Sequence, residues 1–126
     1  MTEAADSIGS VERATSEGLR IAITDNAAAD KFEAIVDGAV VGWQPYRRYH
    51  THIVLLRTEV DSAWRERGIS SAMIDGVLGL IRAAGSTVAP YCKLTGDYIL
   101  RHPEYQDMVT DQYAKLLRPI SRPGTA

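Results

Sequence analysis

Apolar residues along this chain change their spacing as it is read from one end to the other. Between residues 19 and 60 they alternate with polar ones, the period of a half-buried strand. Residues 19–24, 31–36 and 39–46 read as three strands, and Asp37-Gly38 supplies the positive-φ pair of a tight hairpin between the last two. Residues 51–60, rich in β-branched side chains and leucine, read as a fourth, and an antiparallel meander is the simplest way to join them.

From Ile69 the period becomes helical. Ile69, Ala72, Met73, Val77, Leu80, Ile81 and Ala84 share one face, and Gly85 stands where a C-cap glycine belongs. Residues 87–91 then predict a short strand, which a helical crossover places parallel to the fourth. Residues 94–101 predict a second helix. Pro103 suits the first turn of a third, carrying Tyr105, Met108, Val109, Tyr113, Leu116 and Leu117. The order ββββαβαα predicts an α+β fold, a mostly antiparallel sheet with helices packed on it. Residues 1–18 and 118–126 lack sustained apolar periodicity and are expected to be disordered tails, leaving one domain over 19–117.

Composition narrows the function. The 126 residues carry 14 basic and 16 acidic side chains, a formal charge of -2, so no positive field is available to hold a polyanion. Nucleic acid is not the expected partner. One cysteine, Cys92, excludes an internal disulfide, and with no export signal or long apolar run the expectation is a cytoplasmic protein, a monomer or small homo-oligomer, without a membrane partner.

The chemistry gathers where the fourth strand gives way to the first helix, at Trp64-Arg65-Glu66-Arg67-Gly68-Ile69-Ser70-Ser71. A helix N-terminus presents unpaired N–H groups at the positive end of the helix dipole, and Gly68 lets a ligand approach the backbone. Arg65 and Arg67 add charge, while Ser70 and Ser71 add hydroxyl donors. The loop suits a pyrophosphate; it is equally the composition of an ordinary turn with a serine cap and solvated arginines. A G-x-x-x-x-G-K-[ST] loop and a G-x-G-x-x-G fingerprint are both absent.

The stretch from Val60 to Ser70, V-D-S-A-W-R-E-R-G-I-S, resembles the coenzyme A signature of GNAT acetyltransferases, with Ser70 in place of its final glycine or alanine. Blocks at "ITDN", "FEAIVDGAVVG", "TEVDSAWRERGISSAMI" and "VAPYCKLTGDYILRHPEY" are similar, in order and spacing, to the minimal single-domain GNAT-like N-acetyltransferases. The resemblance implies acetyl-coenzyme A as cosubstrate, an amine acceptor and no metal. It implies Val60, Arg65, Arg67, Gly68, Ile69, Ser70, Ser71 and Cys92 as cofactor-binding positions, with the Val60 backbone facing the pantetheine arm.

Three side chains are candidates for the chemistry. Cys92, beside Lys93 and before a helix, is read as an acyl-accepting thiol, a contact to the pantetheine, or a small buried hydrophobe. Tyr98 resembles the tyrosine that protonates the departing thiolate, and equally fits an aromatic core. Glu59 is read as a base acting through water or as the ion-pair partner of Arg57, which shares its strand face. Relatives commonly place histidine where this chain has Arg57, and an arginine cannot serve as a base. That leaves a non-catalytic acyl-coenzyme A binding module as the alternative. His50, His52 and His102 lack metal-ligand spacing. "PYRRYH", residues 45–50, is a stacking pattern or an exposed hairpin end.

Overall fold

The computed structural model describes residues 7–117. Seven strands and two α-helices follow in order: β1 (Ser10–Ala14), β2 (Arg20–Asn26), β3 (Lys31–Val36), β4 (Ala39–Tyr49), β5 (His52–Leu55), β6 (Glu59–Val60), α1 (Ile69–Ala83), β7 (Thr87–Pro90) and α2 (Lys93–Arg101). The sheet runs β1-β2-β3-β4-β5-β7, and β6 pairs with the other half of the β4 edge. All neighbours are antiparallel except β5 and β7, which are parallel because α1 carries the chain back across the sheet. The fold is α+β, with helices on a mostly antiparallel sheet. Asp37 and Gly38 take φ of 50° and 82°, the backbone that the hairpin between β3 and β4 requires.

Buried side chains fill the layer between sheet and helices, among them Ile21, Ile23 and Phe32 from the strands and Met73, Val77 and Ile81 from α1. Gly76 sets how closely α1 seats. A Cβ there would stand 2.8 Å from Ile23 Cδ1 and 3.1 Å from Ile23 Cβ, so only a missing side chain allows the approach.

Three expectations are corrected. Residues 10–14, assigned to a tail, form β1 along the whole of β2. Only Val11 and Arg13 of β1 turn inward, Val11 onto the core and Arg13 to Asp75 of α1, and one apolar contact is too short a pattern to read as a period. The turn into β2 is closed by Thr15, whose Oγ1 accepts from the N–H groups of Glu17 and Leu19. Residues 1–6 and 118–126 lie outside the described residues. The third helix is two 3₁₀ segments, Pro103–Met108 and Asp111–Leu117, parted by Val109 in extended conformation.

The strand expected over residues 51–60 divides into β5 and β6. Tyr46 faces Leu55, but Trp43 faces Glu59, so three steps along β4 answer four on its neighbour. Pro45 lies at the slip. Its carbonyl accepts from the Leu56 N–H at 3.0 Å, and its nitrogen, on the same side, has no hydrogen to return. The ladder loses a bond there, and residues 56–58 bulge before pairing resumes.

Candidate functional site

The bulge opens the sheet at its middle. Asp61 N–H donates to the Val41 carbonyl at 2.8 Å, and the alternation of an antiparallel ladder therefore turns the N–H and C=O of Val60 away from β4. They face a cleft of about 350 Å³ lined by Thr58, Glu59, Val60, Trp64, Arg65, Glu66, Gly68, Ile69, Ser70 and Leu94. The Val60 carbonyl accepts from Arg65 Nε at 3.3 Å.

The α1 N-terminus forms the far wall. Gly68 is its N-cap, with φ 82° and ψ 8°. The first intrahelical bond runs from Ala72 N–H to the Gly68 carbonyl, which leaves the N–H groups of Ile69, Ser70 and Ser71 without intrahelical acceptors. Asp61 positions the approach by accepting from Ala63 N–H at 2.9 Å at the start of the short 3₁₀ turn Ser62–Trp64. Arg65 is at the cleft, whereas Arg67 lies over the Trp64 ring, 4.7 Å from its centroid. Ser71 faces a second hollow of about 430 Å³ on the other side of Gly68, shared with Arg13, Ser16, Asp75 and Tyr98.

Cys92 is the N-cap of α2, tied to the end of β5 by its N–H donating to the Leu55 carbonyl at 3.0 Å. It is buried, with Sγ 3.0 Å from Thr58 Oγ1. Behind Thr58 stands Gln44 of β4, wholly buried, whose Nε2 donates to Thr58 Oγ1 at 3.1 Å and Thr95 Oγ1 at 2.6 Å. Thr58, Gln44 and Thr95 were not among the expected site residues. A glutamine amid apolar strand residues at position 44, followed by Pro45, is the sequence pattern that marks them.

The other candidates have defined partners. Glu59, at the start of β6, pairs with Arg57 Nε of the bulge, both side chains exposed. Tyr98 lines the second hollow rather than the cleft, and its hydroxyl donates to Asp75 Oδ1 at 2.9 Å. Burial, then the hydrogen bond to the Asp75 carboxylate, push the Tyr98 hydroxyl well above its ordinary range, so it holds its proton. His52 bonds Thr87 across β5 and β7, His102 stacks on Tyr98 at 3.8 Å, and His50 occupies the left-handed turn after β4, so the three do not converge. In the 45–50 segment, Tyr46 donates to the buried Asp25 at 2.6 Å and Arg48 lies over the Tyr46 ring, while Tyr49 is exposed. Of its two tyrosines, Tyr46 is core and Tyr49 is surface.

A cleft with an open strand edge on one wall and a glycine-capped helix N-terminus on the other takes an extended ligand that ends in an anion. The family model described as GCN5-related N-acetyl-transferase matches residues 31–108, from the start of β3 to the end of the first 3₁₀ segment after α2. No curated protein sequence matches the chain.

Proposed function

Because the chain belongs to the GCN5-related N-acetyltransferase family, we propose that it moves an acetyl group from acetyl-coenzyme A to an amine in the cleft between β6 and α1. The observation that carries this reading is the pairing of two backbone features in one cleft: Val60 turned outward from β4, and the first-turn N–H groups of Ile69 and Ser70 behind Gly68. The residues fit such a cosubstrate by their donor chemistry. Ile69, Ser70 and Ser71 N–H groups with Arg65 would hold the pyrophosphate, and the Val60 backbone would line the pantetheine arm. Leu94, half exposed at the rim, would cover it.

Bound acetyl-coenzyme A supplies an activated thioester. The chain's part is to orient it, to exclude water and to leave room for the amine. Cys92, in contact with Thr58 of the cleft lining, is either a wall of the acyl pocket or its transient acceptor. Glu59 lines the same cleft but is engaged by Arg57, which supports an ion-pair role over that of a base. We give Tyr98 no proton to deliver, since Asp75 holds its hydroxyl.

The same Arg57–Glu59 pair supports a second reading, a binding module that holds acyl-coenzyme A without turning it over. Calorimetric titration with acetyl-coenzyme A and coenzyme A tests both readings at once, and silence with each would refute both. Thiol release from acetyl-coenzyme A across a panel of primary amines then separates them: turnover with any amine selects the transferase, and binding without turnover selects the module.

A further inference from the structure

Gln44 is 0% exposed, yet its Oε1 has no hydrogen-bond partner among the described residues. A buried carbonyl left without a donor is destabilising, and an apolar side chain of the same size would avoid it. What the amide does instead is hold two hydroxyls. Thr58 Oγ1 accepts from Gln44 Nε2 at 3.1 Å and stands 3.0 Å from Cys92 Sγ. A threonine hydroxyl has one proton. With Gln44 filling one acceptor side of Thr58, the hydroxyl proton is free to turn toward the sulfur. The one-residue slip at Pro45 makes the line possible, since it brings Thr58 opposite Gln44 and next to the start of α2.

We propose that Gln44 is a positioning residue that acts through Thr58, fixing the hydroxyl of Thr58, which lines the cleft, as a donor to Cys92 Sγ. The inference rests on the proposed function only in that Cys92 stands beside the acyl group; the contact itself concerns this chain alone. Its consequence is chemical. A sulfur that receives a hydroxyl proton's hydrogen bond is better able to carry the negative charge of a nucleophilic thiolate. Cys92 is the one cysteine of the chain, so its reactivity reads without interference.

The test is the rate of iodoacetamide alkylation of the full chain at pH 7, followed by intact mass without any cofactor, beside thermal melts of each variant. Thr58→Val is expected to slow alkylation about tenfold, the loss of one hydrogen bond to a charged group, and Thr58→Ser to restore it to within about twofold. Gln44→Met, which keeps the volume and removes the amide, is expected to slow it to a similar degree although Thr58 is still present. Gln44→Glu is expected to do the same, because a carboxylate takes the Thr58 proton instead of donating to its oxygen. Joined with Thr58→Val, Gln44→Met is expected to add nothing, as it must if it acts through Thr58. A native rate in Gln44→Met, or effects that add in the double variant, would overturn the proposal. Should Gln44→Met fail to fold, Gln44→Glu and the Thr58 pair decide it. Repeating the measurement with saturating acetyl-coenzyme A addresses the cleft separately: absence of shielding counts against the proposed function and leaves the Gln44–Thr58 result standing.

Discussion

Tyr98 and Asp75 are joined by a 2.9 Å hydrogen bond from the phenol to Oδ1, and Tyr105 donates to the same oxygen at 2.7 Å while Arg13 Nε reaches Oδ2 at 2.6 Å. Four segments, β1, α1, α2 and the turn after it, meet at this one carboxylate. The relationship gives Tyr98 a structural task. Tyr98→Phe is expected to cost about 1.5–3 kcal/mol in denaturant unfolding, the range for a hydrogen bond to a charged group. Turnover of the folded variant is expected to stay near the native value. A fall of about 10²-fold or more, the scale of a lost general acid, would return a proton-transfer role to this residue.

Asp75 predicts an acid sensitivity. Burial by itself raises its carboxyl, and the hydrogen bonds from Tyr105, Arg13 and Tyr98 together outweigh burial and hold it below the ordinary range. The folded chain therefore binds the Asp75 proton less readily than the unfolded one. The stabilisation is complete above the ordinary aspartate range, about 3.9, and is lost as pH falls through the lower folded value. Asp75→Asn is expected to flatten the fall in melting temperature on acidification below about pH 4, relative to the native chain. An unchanged acid limb would show that other carboxylates govern it.

Gly68 and Gly38 share a φ of 82° but have different surroundings. A Cβ on Gly38 meets nothing within 4 Å, and one on Gly68 stands 3.3 Å from Thr15 Cβ, on the side of the second hollow, where it would press on the head of α1. Alanine at either position is expected to cost about 1 kcal/mol of stability through backbone strain. Only Gly68→Ala is expected to weaken acetyl-coenzyme A binding, by about tenfold in titration, the loss of one charge-assisted contact. Equal affinities in the two variants would remove the α1 N-terminus from the binding site.

Glu59→Gln distinguishes partner from base. The Arg57–Glu59 pair is 60% and 41% exposed, so losing it is expected to change stability by less than about 1 kcal/mol. With the glutamate acting as a partner only, amine turnover stays close to native. A base removed lowers it by about 10²-fold or more, most severely for amines that reach the site protonated.

Much of this architecture was legible in local pattern. Periodicity located β3 and α1, because each buries one face and repeats its apolar spacing over enough residues to read, and the parallel return of β7 followed from the helical crossover that precedes it. The glycine at the head of α1 and the serines behind it were legible for a related reason: capping and helix-end chemistry is carried by neighbouring residues. The role of Arg57 as the partner of Glu59 also followed from alternation along a strand.

What the sequence by itself determined is thus the set of elements whose physics is local, together with the loop that opens α1 and the family resemblance built on it. Tertiary structure alone decided which groups meet across distance. β1 gains its place by pairing with β2 and by a single ion pair to α1, contacts that leave no period in the chain. Pro45 divides the strand into β5 and β6 only because its missing N–H faces that neighbour, a direction set by the register of β4 in the sheet. Gln44, Thr58, Cys92 and Thr95 are 14, 34 and 51 positions apart in their pairings, and the hydroxyl of Tyr98 could face a thioester or a carboxylate until α1 was laid beside α2. Hydrogen bonds are short and directional, so their partners are settled by packing and not by the spacing of residues along the chain.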